Sequence, residues 1–267
     1  MIIPIYKPLG SSSHQLAKLI GESHREKATH TGTLDPMADG GLVVLTGEDR
    51  FKKAEYSNWE KTYQFQILVG IKTDSGDLLG LIEKNSTSSN PKEKQNLIKN
   101  LEEKIKTTLL ELIGKQTQIA PAFSAQRVAG KAGFDLAKQG KKFELQKNEI
   151  EIFSLKIIPS ENTKKKIKNI SSKELLEYIQ QTISLVKGDF RQKKIITQWE
   201  NLLKNDKQQN NFLIITLEAV TTKRTYIRSL IQEISQKLNL PMTAFSITRT
   251  KNGPFSIEDC ANKKSLN

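Results

Sequence analysis

An α+β fold is predicted for this chain by three features of its 267 residues: stretches of two-residue alternation, stretches with apolar residues at helical spacing, and no repeating strand–helix–strand rhythm of the kind that builds a doubly wound parallel sheet. Residues 61–70 (KTYQFQILVG) set Tyr63, Phe65, Ile67 and Val69 against Thr62, Gln64 and Gln66, the pattern of a strand with one buried face. A Ser/Asn/Pro-rich loop follows at 85–91. Residues 94–113 then place Leu97, Leu101, Ile105, Leu109 and Leu112 on one face of a helix. Residues 211–220 (NFLIITLEAV) read as a second strand. They lead into a helix over 226–238, where Ile227, Leu230, Ile231, Ile234 and Leu238 recur at helical spacing.

Composition shifts near residue 160. Residues 161–169 are lysine-rich, polar character returns at 203–211, and between them Leu175, Leu176, Ile179, Ile183 and Val186 have the spacing of a helix. This predicts one domain over 1–256 with a basic, partly helical insertion at about 160–211, then a short tail at 257–267. The insertion is open to two readings, a supplement to binding of a polyanion or a solvated surface excursion.

Charge narrows the class of partner. Lysine and arginine total 42 against 29 acidic residues, a net charge of +13, which suits nucleic acid or an anionic membrane. No apolar run reaches the roughly 18–20 residues of a spanning helix, so no membrane association is expected. The first nine residues carry Pro4, Lys7 and Pro8 without a sustained apolar core, unlike a signal peptide, so a cytoplasmic location is expected. A single cysteine, Cys260, rules out an internal disulfide framework, and the scattered His14, His24 and His30 give no metal-ligand spacing. Aromatic residues are only 6%, which argues for recognition by shape and charge over base stacking.

The stretch with chemical content is residues 29–40 (THTGTLDPMADG). Gly32 and Gly40 permit backbone conformations closed to other residues, and Pro36 holds Asp35 in an extended or turn geometry that can present a carboxylate to a cleft. On composition alone a turn-forming Asp before Pro is the simpler reading.

HTGTLDPMADGGL at 30–42 is, however, similar to the G-H-T-G-T-L-D-P-x-A-x-G-x-L signature of the TruB family of pseudouridine synthases. Further resemblances come in the family's order: YKPLGSSSH at 6–14, KTY at 61–63 with TDSGD at 73–77, QIAPAFSAQRVAG at 118–130, TYIRSL at 225–230, and Arg249-Thr250. They cover about residues 2–80, 116–156 and 213–256. Three positions depart from the pattern: Arg224 stands where a glycine usually precedes T-Y-I-R, Ala122 replaces the second proline of a pair, and Arg127 replaces a lysine.

The resemblance implies a pseudouridine synthase fold, a central mixed, mostly antiparallel sheet flanked by helices, here with no C-terminal PUA domain. It implies an isomerase that acts on uridine 55 in the T loop of tRNA, with the tRNA T arm as partner, no cofactor, no metal and no obligatory protein partner; a monomer is expected. Pseudouridine formation breaks the N1–C1′ bond, turns the uracil and joins C5 to C1′, with no redox change. A carboxylate can serve by attacking the ribose or base, or by removing a ribose proton; either way it must be ionised in a water-poor pocket.

By the resemblance Asp35 is that carboxylate and Arg228 its ion-pair partner; without the T-Y-I-R context a helix arginine facing solvent or a phosphate would be the simpler reading. Tyr63 is implied to be catalytic with them, stacking on the target uracil and helping to remove the C5 proton, and on pattern alone is a half-buried core tyrosine. Tyr226 and Ile247 are implied to line the uridine pocket, His30 to lie against the flipped nucleotides, and Lys7 to support the site's floor while counted among the substrate-binding residues. A guide-RNA-dependent enzyme of the dyskerin type and a tRNA-folding factor without essential catalysis are the alternatives.

Overall fold

A computed structural model describes residues 1–85, 91–124, 126–128, 131–141, 143–159, 166–204 and 211–261. Most of the loop expected at 85–91, half of the lysine-rich run, the polar stretch before residue 211 and the end of the tail lie outside the described residues.

Strand β1 (Ile2–Lys7) leads into α1 (Ser13–Ser23), whose N-cap Ser12 accepts a hydrogen bond from the Gln15 N–H. Then come β2 (Ala28–His30), β3 (Ala38–Thr46), the short α2 (Lys53–Ser57), β4 (Lys61–Val69), β5 (Ile71–Thr73) and β6 (Ile82–Asn85). Helix α3 (Pro91–Glu111) precedes β7 (Gly114–Ile119), β8 (Arg127–Val128), β9 (Lys131–Ala132), α4 (Gly133–Lys138) and β10 (Lys147–Ile157). The rest comprises β11 (Ile167–Ser171), α5 (Ser172–Ser184), α6 (Gln192–Lys204), β12 (Asn211–Thr221), α7 (Ile227–Leu238), β13 (Met242–Asn252) and β14 (Phe255–Ser256).

The main sheet runs β1-β3-β13-β4-β12-β10-β7, with β2 beside β3, β11 beside β12 and β14 beside β13. Only β3 and β13 pair in parallel among its described ladders, so the sheet is mixed and mostly antiparallel, as expected. Strand β4 lies at its centre, with Phe65 opposite both Leu217 and Ile247.

One face of the sheet carries Tyr63, Phe65, Ile67 and Val69, the alternating set predicted, under α3 and α7. Leu101, Ile105, Leu109 and Leu112 of the α3 segment and Ile227, Leu230, Ile231 and Ile234 of α7 complete that layer. Each such side chain removed from water contributes about 1.5–3 kcal/mol. Leu68, on the opposite side of β4, is just as buried, which one-faced alternation does not anticipate.

The reason is the segment after residue 160. Its described part is no solvated excursion: β11 extends the sheet, and Leu175, Ile179 and Ile183 of α5 with Ile195 and Trp199 of α6 pack over Leu68, Ile214 and Phe245 to make a second core. Trp199 is 0% exposed. Helix α5 opens with a capping box between Ser171 and Glu174, a local signal that fixes its start. No helix among the described residues is long and apolar enough to cross a membrane.

Candidate active site

Asp35 lies on the loop joining β2 to β3, and that loop is held from beneath on all sides. Ser13 Oγ accepts from the Leu34 N–H and donates to the Leu34 carbonyl, and the Gly10 N–H donates to Pro36 O at 2.8 Å. Buried Arg249 donates to Gly41 O and Gly32 O, and Asn252 donates to Thr31 Oγ1. Gly40 is required here: its φ is +110°, and a Cβ would stand 2.3 Å from the Arg249 carbonyl oxygen where β3 meets β13.

Lys7 belongs to the same scaffold. It is 0% exposed, and its Nζ donates to Ala38 O at 2.6 Å and Pro8 O at 3.2 Å. Burial pulls its pKa down to about 8 against the opposing pull of Asp35 and Asp39. Lys7, expected among the substrate-binding residues, lies beneath the floor, bonded to two carbonyls and outside the linings of the two cavities that meet at Asp35.

Arg228 projects from the first turn of α7, where a cation opposes the helix dipole, and it is only 2% exposed. Three 2.8 Å hydrogen bonds offset that cost: Nε to Asp35 Oδ2, Nη1 to the Ser75 carbonyl and Nη2 to the Phe123 carbonyl. Asp77 Oδ2 stands 3.7 Å from Nε. Burial works against the charge of Arg228, but the two carboxylates outweigh it and its pKa is raised. Burial also raises that of Asp77, opposed by Arg228 and by the Ser75 hydroxyl, which donates to Asp77 Oδ1 at 2.6 Å. Asp35 keeps 28% of its side chain exposed to the cleft.

Two cavities meet at Asp35. The larger, of about 750 Å³, contains Tyr63, Tyr226, Ile247 and Arg249, with Lys53, Lys61, Lys223 and Arg224 around them. Tyr63 comes from β4 and Ile247 from β13, while Tyr226 is the residue before α7, its N–H donating to Gln118 Oε1 at 2.7 Å. The Tyr226 hydroxyl has a raised pKa, through burial first and then through the charge of Asp35. The smaller cavity, of about 410 Å³, contains His30, Phe123, Phe134, Lys138 and Arg228, and it is closed by Lys187, Phe190 and Arg191 from the loop between α5 and α6.

His30 faces the smaller cavity, not the one that holds Tyr63. Burial, then the charges of Lys53 and Arg249, lower its pKa to about 4, so its ring is neutral at pH 7. Its Nδ1 is buried with no hydrogen-bond partner among the described residues. The fold thus brings Asp35, Arg228, Tyr63, Tyr226 and Ile247 together, sets His30 on the other side of the carboxylate, and puts Lys7 beneath the floor.

Sequence reading missed Ser75, Asp77 and the Phe123 carbonyl. The TDSGD segment at 73–77 was the available signal: a buried arginine needs more compensation than one half-exposed carboxylate supplies, and two nearby acids were on offer. The arrangement pairs a carboxylate with a buried guanidinium, fixes its direction and leaves it partly open to a slot walled by tyrosines and an isoleucine, inside a basic rim.

Comparison with known proteins bears on the family and the fold. Residues 21–179 match the model of the TruB family pseudouridylate synthase (N terminal domain). The tRNA pseudouridine synthase B of Clostridium tetani is 27% identical over 267 residues, covering 100% of this chain and 72% of that protein. That of Listeria welshimeri is 30% identical over 263 residues, covering 97% and 68%. That of Rickettsia akari reaches 37% over 158 residues, covering 58% and 50%. The family match also takes in residues 81–115 and 157–179, which lie between the stretches that carry the motifs. A chain in the structure of an H/ACA RNP bound to a substrate RNA containing 2′-deoxyuridine superposes with a TM-score of 0.50 at 17% identity, covering 96% of this chain and 48% of that one, a likeness of fold.

Proposed function

The chain belongs to the TruB family of pseudouridylate synthases, and from that premise and the geometry of its cleft we propose that it converts uridine 55 in the T loop of tRNA to pseudouridine with Asp35 as the catalytic carboxylate. One observation carries the reading: the carboxylate bonded at 2.8 Å to a buried arginine at the meeting point of two cavities.

Each part has a physical task. Arg228 gives the Asp35 carboxylate a buried counter-charge, and its three fixed bonds set the direction of that carboxylate before substrate arrives. Tyr63, 8% exposed on a rigid central strand, presents its ring to the uracil, and Tyr226 and Ile247 exclude water from the N1–C1′ bond being broken. A uridine within a folded loop must leave its stack to reach Asp35, and neutral His30, beside the carboxylate, fits a prop for that opened loop. Lys53, Lys223 and Arg224 supply positive charge for the RNA backbone, while buried Lys61 is bonded to the Ser57 and Trp59 carbonyls.

The test is position-mapped conversion of uridine in an unmodified tRNA transcript by the wild type and by Asp35→Asn. The wild type should modify uridine 55, and the variant should lose at least about a thousandfold in rate while still binding tRNA. Tight binding without conversion by either protein would overturn the reading in favour of a tRNA-binding role.

A further inference from the structure

Both carbonyls that hold the Arg228 guanidinium belong to segments gripped by one side chain from the loop between α5 and α6. Arg191 donates from Nη1 to Asp74 Oδ2 at 2.8 Å and from Nη2 to Asp74 Oδ1 at 3.2 Å, a two-pronged pair in which both side chains are about one-fifth exposed. The same guanidinium lies over the Phe123 ring, 4.6 Å from its centroid. Asp74 adjoins Ser75, whose carbonyl accepts from Arg228 Nη1, and Phe123 itself offers the carbonyl that accepts from Nη2.

We propose that Arg191 is a positioning residue: by clamping the Asp74–Ser75 turn to Phe123 it fixes the Arg228 guanidinium, and through it the aim of the Asp35 carboxylate. The inference rests on the proposed role of the Asp35–Arg228 pair.

Three further observations support it. Asp74 Oδ1 also accepts from the Leu81 N–H at 2.8 Å, so the carboxylate that Arg191 grips is part of the turn's own bonding. Arg191 has a φ of +64°, a left-handed conformation that is unfavourable for a non-glycine residue, and its carbonyl accepts from the Ile195 N–H at the start of α6. Neighbours of Arg191 seize the Phe123 side of the cavity as well: Lys138 Nζ bonds to Asp189 Oδ2 at 3.0 Å, and the Phe134 and Phe190 rings meet at 6.3 Å. With both prongs on Asp74 and its face on Phe123, the guanidinium is committed to protein and not to an RNA phosphate. The second core beneath α5 and α6 gives the loop a rigid base.

The experiment compares wild type, Arg191→Ala, Arg191→Lys and Asp74→Asn by two readouts. One is the exchange rate of the Arg228 Nε–H by ¹⁵N NMR, assigned by its loss in Arg228→Lys. The other is the single-turnover rate constant on tRNA transcript set beside tRNA Kd. Arg191→Ala should speed Nε–H exchange at least about tenfold and slow the chemical step about tenfold to a hundredfold, with Kd changed less than about threefold. Arg191→Lys should not restore the rate, because an ammonium cannot span both carboxylate oxygens and stack on the ring. Asp74→Asn should reproduce the defect, and the double variant should be no slower than either single one. If Arg191→Ala does not fold, Arg191→Lys and Asp74→Asn decide the same point.

Unchanged exchange and rate, or a weakened Kd with an intact rate constant, would overturn the proposal; so would a lowered melting temperature with both readouts unmoved. Should the wild type make no pseudouridine, the proposed function fails, while the Nε–H comparison still decides whether Arg191 positions Arg228.

Discussion

Replacing Arg228 with methionine keeps most of the side chain's bulk and removes its charge and all three of its 2.8 Å bonds. The Ser75 and Phe123 carbonyls lose their donor, and Asp77, 6% exposed, loses the cation that faces it. Breaking one side of a buried pair costs about 3–5 kcal/mol, and a stranded carbonyl about 1–3 kcal/mol. These overlap, and water in the cleft can reach Asp35, so the net loss should be about 3–5 kcal/mol, or roughly 10 °C in melting temperature. The loss should also depend on pH. Burial already raises the Asp77 pKa, and without Arg228 it rises further; a carboxyl whose folded pKa lies above its unfolded value of about 3.9 carries no penalty below that value and the full penalty above the folded one. Urea unfolding at pH 4.5 and pH 8 should therefore show the variant closer to wild type at the lower pH. A difference below about 1 kcal/mol at pH 8, or one that does not change with pH, would mean that the guanidinium is not what stabilises this cluster.

Three other perturbations test the scaffold. Lys7 has a folded pKa of about 8, below its unfolded value, so the unfolded chain binds more protons between about pH 8 and 10.5 and stability should rise with pH there. Lys7→Met should remove its share of that rise, up to about 3 kcal/mol, in denaturation curves taken across the window, and leave the share of Lys61, whose burial also lowers its pKa to about 8. Gly40→Ala should destabilise by more than about 3 kcal/mol or prevent folding, because its Cβ meets the Arg249 carbonyl and its φ is left-handed; a shift below 1 kcal/mol in urea midpoint analysis would contradict the close approach. The His30 ring protons should titrate by NMR with a midpoint below about pH 5, and no His30 ionisation should mark the pH–rate profile between 6 and 8.

Much of this architecture was legible along the chain because periodicity reports which side of an element is dry. The alternation of Tyr63, Phe65, Ile67 and Val69 marked the central strand and its buried face, and the helical spacing in 226–238 marked α7 nearly to the residue. The helix at 172–184 was equally plain in Leu175, Ile179 and Ile183. Asp35 stood out only through the motif around it, since an aspartate before proline has no periodicity to betray it, and Arg228 was its partner by resemblance alone.

Tertiary structure decided what depends on partners distant in the chain. Asp35 and Arg228 are 193 residues apart, and they meet because β3 and β13 pair in parallel while α7 packs across the same sheet face. Leu68 and Trp199 are buried because the segment after residue 160 folds back over the second face of the sheet, where composition had suggested a basic insertion. Lys7, a cation near an active-site motif, proved to be sealed beneath the floor; Asp77 lay in a motif whose pairing with Arg228 needed the fold, and Arg191 gained its place from contacts that no local pattern encodes. Desolvation and charge pairing belong to the assembled neighbourhood of a side chain, whereas periodicity records only that one face of an element will be covered.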